Sequence, residues 1–159
     1  MQKITSFTID HIRLLTGLYV SRVDRIGNEA VTTFDIRMTR PNLEPVMDTA
    51  AAHAFEHLGA TWLRNNPEWK DQIIYFGPMG CRTGFYLLLA GERTSEEILP
   101  LVDSMFRFVA AFEDEIPGAS ARDCGNYLDM NLSMAKYHAE KYIREVLDKP
   151  EPARLSYPE

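Results

Sequence analysis

The most informative stretch of this chain is residues 53–57, His53-Ala54-Phe55-Glu56-His57, which lies inside a segment with helical periodicity. Two histidines four positions apart project from one face of a helix, so their imidazoles can converge on one metal ion. Glu56 precedes the second histidine, where a carboxylate can take a proton from a group that the metal polarises. The order inverts the His-Glu-x-x-His motif of metalloproteases. This pentad therefore predicts a metalloenzyme.

The pentad occupies the first of three predicted helices. That helix begins at Asp48 or Thr49, both good N-caps, and ends near the Asn-Asn-Pro sequence of residues 65–67. An apolar stripe that includes Phe55 faces the core. The polar side chains of the pentad lie off that stripe, so we expect them to face a cleft or a partner.

The remaining periodic segments predict a sheet and two further helices. Strands are predicted where β-branched and aromatic residues are concentrated, at 18–23, 30–38, 72–76 and 83–90. The second strand alternates apolar and polar residues, so Asp35 and Arg37 should share its polar face. The other helices run from the capping box at Thr94 to about Phe112, and over residues 131–147.

A chain of 159 residues without repeats or linkers favours one compact domain. We therefore predict a single α+β domain over residues 1–159, with a mostly antiparallel sheet packed against three main helices. Residues 150–159 contain three prolines and are predicted to form a loosely held C-terminal tail.

Composition excludes several classes of function. A net charge of -6 argues against general nucleic-acid binding. The longest apolar run, Phe85–Ala90, is too short to span a bilayer, and the N-terminus lacks the apolar core of a secretory signal. A cytoplasmic location is the resulting expectation. There, the two cysteines, Cys81 and Cys124, are expected to be free, catalytic or metal-bound rather than joined in a disulfide.

A third metal ligand is needed, because catalytic metal sites usually have three protein ligands and one open position. Cys124 lies between Pro117-Gly118 and Gly125-Asn126, in a turn-rich segment that can present a thiolate. Two histidines and one cysteine suit zinc or another divalent first-row ion. His138, on the third helix, has no partner in its sequence context and is predicted to be solvated.

Cys81 is a separate candidate. It lies in a loop with three glycines, residues 77–84, where the backbone can adopt unusual angles and approach a ligand closely. The neighbouring Arg82 favours a reactive thiol. We predict a functional thiol, and the alternative is a small buried apolar cysteine.

Several segments, taken in order, resemble the LuxS family of S-ribosylhomocysteine lyases, which make the precursor of autoinducer-2. The resemblance covers nearly the whole chain and is carried by Ser6, Asp10-His11, Phe34–Arg37, the pentad, Gly77–Tyr86, Gly118–Ser120 and Cys124–Leu128. It implies a homodimer with active sites at the interface and one divalent metal per subunit. That metal is Fe(II) natively, and Zn(II) or Co(II) in many purified preparations.

The resemblance also implies a role for each site residue. The metal ligands carry over onto His53, His57 and Cys124, and the catalytic pair onto Glu56 and Cys81. Residues implied to bind the substrate are Ser6, His11 and Arg37 at the ribose, partly from the other subunit, and Arg64 at the homocysteine end. One departure is Tyr75-Phe76-Gly77, where the family often has Asp-Ile-Ser, so the holder of the substrate amino group stays open.

The implied reaction moves the ribose carbonyl from C1 to C3 and then eliminates homocysteine. The other product is 4,5-dihydroxy-2,3-pentanedione, which links the enzyme to quorum sensing and to the methyl cycle. Two alternatives remain from the residues alone. One is a metallohydrolase or peptidase in which Glu56 activates a water. The other is a non-enzymatic domain with a structural metal site of two histidines and one cysteine.

Overall fold

In the computed structural model, which describes residue 2 and residues 4–158, a four-stranded antiparallel sheet carries three α-helices against one face. The strands are β1 (Gly17–Ile26), β2 (Glu29–Arg37), β3 (Ile73–Pro78) and β4 (Gly84–Ala90). The helices are α1 (Thr49–Asn65), α2 (Ser95–Ala111) and α3 (Leu132–Tyr142). The α+β class and the mostly antiparallel sheet predicted from the sequence are confirmed.

The spatial order of the strands is β1-β2-β4-β3. The β1–β2 hairpin closes through a two-residue loop whose first residue, Gly27, has φ 63°, the conformation that favours glycine there. Arg37, the last residue of β2, pairs with Gly84, the first residue of β4. This pairing brings the polar end of β2 next to the loop that carries Cys81.

The helix ends agree with the predicted caps. Asp48 accepts a hydrogen bond from the Ala51 amide at 2.8 Å, and Thr94 forms a complete capping box at the start of α2. The third predicted helix is α-helical to Tyr142 and then continues as a π-helical turn over Ile143–Leu147. None of the helices in the described part of the chain is long and apolar enough to cross a membrane.

The core lies between the helices and one face of the sheet. Phe55 of α1 packs against Phe85 of β4 and Phe106 of α2, with ring centroids 4.8 and 5.0 Å apart. Burying a side chain of this size stabilises the fold by about 1.5–3 kcal/mol. Because this stripe of α1 is committed to the core, the histidines of the pentad are left on the half-exposed side of the helix.

Asp35 and Arg37 share the face of β2 opposite to this core, as predicted, but that face is not solvated. Their side chains are only 1% and 3% exposed. The chain beyond residue 150 contributes to this cover, since the Tyr157 hydroxyl donates a hydrogen bond to Asp35.

The C-terminal segment, residues 150–158, was predicted to be loose. It is instead anchored to β1 and to Thr16, the residue that precedes β1. It contains a 3-10 turn at Pro152–Arg154, and Arg154 Nη1 donates to the Thr16 carbonyl at 2.9 Å. The close approach depends on Gly17, because a Cβ there would collide with the Arg154 carbonyl oxygen. Proline content in this segment therefore did not produce disorder.

Candidate metal centre

The helix α1 places His53 and His57 one turn apart, with their ring centroids separated by 4.8 Å. Cys124 approaches them from the loop before α3, and its Sγ lies 3.4 Å from His53 Nε2. The ligand atoms of the three residues all lie within 4.8 Å of one another. A tetrahedral zinc centre with ordinary bond lengths places nitrogen and sulfur ligands about 3.5 Å apart. We call these three residues the metal group.

Backbone carbonyls orient both imidazoles. His53 Nδ1 donates to the Asp129 carbonyl at 2.9 Å, and His57 Nδ1 donates to the Pro117 carbonyl at 2.7 Å. A carbonyl oxygen only accepts, so the proton of each neutral ring must sit on Nδ1. The lone pair of each Nε2 is then free for a metal, which is the usual arrangement around ligating histidines.

The loop that supplies Cys124 is shaped to fit against α1. Gly118 adopts φ 73°, and a Cβ on it would lie 3.3 Å from His57 Nδ1. The turn predicted around Cys124 is present, since its amide donates to the Ser120 carbonyl at 3.0 Å. The Asn126 amide in turn lies 3.5 Å from Cys124 Sγ and donates to it. The loop therefore fixes the Cys124 backbone on one side and contacts its sulfur from the other.

The donor set fits one divalent first-row ion with an open coordination position. Within residues 4–158, the metal group is the one cluster of three or more histidine, cysteine or carboxylate side chains arranged to hold a metal. All three members are half-buried. A closed structural zinc site would need a fourth protein ligand, and the described residues offer none within this group.

Glu56 lies on the same helix, one residue before His57, and is half-buried. It has no hydrogen-bond or ion-pair partner among the residues that the structure describes. A carboxylate without a partner beside a metal site can take up and release a proton.

Four of the other five predicted residues line a cavity of about 470 Å³ at the junction of β2 and β4. We call it the β2–β4 cavity. The candidates that line it are Ser6, His11, Arg37 and Cys81. Among the described residues, neither the metal group nor Glu56 lines this cavity. One chain therefore holds the predicted active-site residues in two separate places.

Cys81 is exposed, so the alternative of a buried apolar cysteine is wrong. Its Sγ lies 3.1 Å from Thr83 Oγ1, and Thr83 Oγ1 accepts a hydrogen bond from Arg37 Nη1 at 2.6 Å. Burial alone would lower the pKa of Arg37, but the charge and hydrogen bonds of Asp35, with a further contribution from Cys81, raise it. Sequence reasoning named Arg82 as the neighbouring cation and missed both Thr83 and the approach of Arg37 across the sheet.

His11 and Arg64 differ in their setting. His11 is half-buried, and its Nδ1 donates to the Ile9 carbonyl at 2.9 Å, which leaves Nε2 open to the β2–β4 cavity. Arg64 is exposed at the end of α1 and donates from Nη2 to the Ile74 carbonyl at 2.9 Å. Arg64 does not line the cavity, and its hydrogen bond to Ile74 joins α1 to β3.

His138 is buried, contrary to the prediction of a solvated helix face. Its Nδ1 has no hydrogen-bond partner among the described residues, and burial lowers its pKa. It is not part of the metal group. The apolar stripe of α3 includes this position because the helix packs more deeply than its polar sequence suggested.

Together, the fold and the two sites define an α+β protein in which two histidines and one cysteine form a group that could hold a metal ion. A family model described as S-ribosylhomocysteinase (LuxS) matches residues 4–153. The chain therefore belongs to the LuxS family, which confirms the resemblance drawn from its motifs.

Proteins named S-ribosylhomocysteine lyase match the chain over its full length. The protein of Clostridium beijerinckii is 58% identical over 158 residues, with 99% of each chain covered. A protein of Porphyromonas gingivalis is 58% identical over 159 residues, with 100% of each chain covered. The protein of Borrelia garinii is 51% identical over 158 residues, covering 99% of this chain and 100% of its own.

Proposed function

We propose that this chain is an S-ribosylhomocysteine lyase, a carbon–sulfur lyase that acts in the cytoplasm. The observation that carries the proposal is its 58% identity, over the full length, to proteins bearing that name. The metal group and the exposed Cys81 supply the chemical groups that such a reaction needs. The family match favours this activity over a peptidase that would use the same pentad.

The proposed reaction consumes S-ribosylhomocysteine and needs no external oxidant or reductant. Two successive isomerisations move the ribose carbonyl from C1 to C2 and then to C3, each transferring one proton between neighbouring carbons and one between their oxygens. A proton then leaves C4, the C5–S bond breaks, and homocysteine departs with the electron pair as a thiolate that takes up a proton. The enol left at C4 and C5 then takes up a proton on C5 and loses one from its oxygen, which gives the second product, 4,5-dihydroxy-2,3-pentanedione, the precursor of autoinducer-2.

His53, His57 and Cys124 would hold one divalent ion, proposed to be Fe(II), with Zn(II) or Co(II) able to replace it. When bound, such an ion polarises a carbonyl oxygen as a Lewis acid. Glu56 and Cys81 would then remove and return the protons on carbon, each contributing general acid–base catalysis. The partnerless carboxylate of Glu56 and the exposed sulfur of Cys81 support these roles.

Four further residues are proposed to bind the substrate. Ser6, His11 and Arg37 line the β2–β4 cavity and would receive the ribose hydroxyl groups, for which Ser6 and Arg37 offer hydrogen-bond donors and His11 Nε2 an acceptor. Arg64 is proposed to meet the homocysteine carboxylate. Its exposed guanidinium uses Nη2 on the Ile74 carbonyl and keeps other N–H groups for a ligand.

A homodimer is proposed because the two parts of the site do not meet in one chain. The β2–β4 cavity of one protomer would face the metal group of its partner, and the twofold-related pair would form a second site. Apolar side chains around both parts support such an interface. Phe7 and Leu43 at the cavity are 67% and 63% exposed, and Leu128 near Cys124 is 80% exposed.

Release of free thiol from S-ribosylhomocysteine tests the activity directly. We expect thiol release by the wild-type protein and none by Glu56→Gln or Cys81→Ala. Both variants should keep their metal, because neither residue is in the metal group. A wild-type protein that is folded and metal-loaded but releases no thiol would refute the proposed activity. Unchanged turnover in both variants would refute the assigned roles.

Mixing the two inactive variants tests the shared site. If Glu56 and Cys81 act across the interface, a heterodimer of Glu56→Gln and Cys81→Ala contains one site with both changes and one intact site. Statistical exchange of subunits then restores about a quarter of wild-type activity. If both residues act within one chain, every site in the mixture carries one lesion and no activity returns.

A further inference from the structure

A continuous chain of hydrogen bonds connects the C-terminal segment to the sulfur of Cys81. The Tyr157 hydroxyl donates to Asp35 Oδ2 at 2.8 Å. The Asp35 carboxylate accepts from Arg37 Nε at 3.1 Å and from Arg37 Nη2 at 2.5 Å. Arg37 Nη1 donates to Thr83 Oγ1 at 2.6 Å, and that oxygen lies 3.1 Å from Cys81 Sγ.

Chemistry fixes the direction of the hydrogen bonds that Arg37 and Asp35 make. A guanidinium only donates, so Thr83 Oγ1 accepts from Arg37 and is free to direct its own hydrogen toward Cys81. Burial and the Asp35 carboxylate raise the pKa of Tyr157, which keeps its phenol protonated and donating. The carboxylate of Asp35 therefore receives three hydrogen bonds, one of them from the C-terminal segment.

Tyr157 is itself held in place from several sides. Its ring stacks on Tyr19 with centroids 4.8 Å apart and planes 15° from parallel. Ser21, which lies where the register of β1 shifts between Val20 and Arg22, also acts on the phenol and lowers its pKa, against the larger effects of burial and Asp35. The phenol is thus a fixed support for Asp35.

We propose that Tyr157 is a positioning residue for the active site, acting on Cys81 through Asp35, Arg37 and Thr83. This inference rests on the proposed function, in which Cys81 and Arg37 act on the substrate. Asp35 and Arg37 are nearly inaccessible to solvent, so water cannot readily replace a donor that is removed. Without the phenol, Asp35 Oδ2 loses one of its two donors. The Asp35 carboxylate then no longer fixes the Arg37 guanidinium in the orientation that directs Nη1 at Thr83.

Removing only the hydroxyl, with Tyr157→Phe, tests the proposal. A hydrogen bond to a charged group is worth enough to change a rate about tenfold. We expect kcat/KM for thiol release to fall about tenfold, with metal content unchanged. The rate at which iodoacetamide alkylates Cys81 in the metal-loaded protein should also change, by at least about threefold. The matched control is Tyr137→Phe, which removes the hydroxyl of an exposed tyrosine on α3 and should alter neither readout.

A double-mutant comparison separates positioning from a general loss of stability. In an Asp35→Asn background, Tyr157→Phe should cause little further change in either readout, because the path to Cys81 is already broken. The same loss in both backgrounds would overturn the proposal. A chain truncated after Ser156 should show the same effect as Tyr157→Phe. If both of these variants keep the alkylation rate and the kinetics of the wild type, the proposal is also overturned.

The alkylation readout does not require lyase activity, so the two proposals can fail separately. A wild-type protein without thiol release would refute the proposed function. The effect of Tyr157→Phe on Cys81 alkylation, measured against Tyr137→Phe, would still decide whether Tyr157 acts on Cys81.

Discussion

Replacing Gly118 by alanine should weaken metal binding, although Gly118 is not a ligand. Gly118 has φ 73°, and the added Cβ would lie 3.3 Å from Nδ1 and 3.4 Å from Cε1 of His57. The preceding carbonyl, that of Pro117, accepts the hydrogen bond that orients the same ring. The substitution therefore acts on the ring and on its hydrogen bond together.

The expected magnitude has two parts. A left-handed conformation costs an alanine about 1 kcal/mol, which lowers stability without reference to the metal. Contact with His57 requires the imidazole to move by a few tenths of an ångström, and changes around ligating histidines typically cost about 10–100-fold in affinity. We expect about a tenfold loss of Zn(II) affinity, which corresponds to about 1.4 kcal/mol.

Gly27→Ala is the matched control. Gly27 has a similar φ of 63°, but no atom lies within 4 Å of the position that its Cβ would take. Both variants should lose similar stability in urea unfolding of the metal-free protein. Only Gly118→Ala should lose Zn(II) affinity, measured by competition with a fluorescent chelator. Equal Zn(II) affinities in the two variants would refute the argument that the Gly118 loop positions His57.

Three further changes are expected. Cys124→Ala should abolish tight metal binding, since it leaves two ligands, and full metal content by elemental analysis would show that the third ligand is misassigned. Burial lowers the pKa of His138 below its usual value of 6.5, so as the pH falls the unfolded chain binds a proton at this residue before the folded chain does. The stability that His138 contributes above about pH 6.5 is therefore lost as the pH falls through its pKa in the folded state. His138→Gln should therefore lose less unfolding free energy than wild type between about pH 7.5 and about pH 5, and equal losses would contradict this. Thr94→Ala removes the capping box of α2 and should cost about 1 kcal/mol in urea unfolding, whereas no loss would mean that the cap is dispensable.

The elements that sequence reasoning placed correctly are those determined by local interactions. Asp48 and Thr94 were readable as caps because a capping side chain bonds to an amide two or three residues away. The convergence of His53 and His57 followed from helix geometry alone. Cys124 could be proposed as the third ligand because its turn is encoded by adjacent glycine and proline residues.

The features that sequence reasoning missed depend on contacts between distant segments. Tyr157 reaches Asp35 across 122 positions of sequence, and the absence of a side chain on Gly17 lets the Arg154 carbonyl of the same segment approach β1 closely. Nothing local to residues 150–158 indicates this docking, and three prolines indicate the opposite. The burial of His138 has the same origin, since it depends on how deeply α3 packs.

The separation of the site into two parts follows from the sheet itself. Phe34 and Ile36 face the helices, so by alternation Asp35 and Arg37 face the opposite side of the sheet. The pentad lies on α1, whose apolar stripe packs on the helix side. A layer of sheet therefore stands between the cavity that holds Cys81 and the helix that carries Glu56. The sequence motifs predict which residues take part in the reaction, but they do not predict which protomer contributes each residue to a site. Restored activity in a mixture of two inactive variants is the result that this topology requires if both residues serve one substrate.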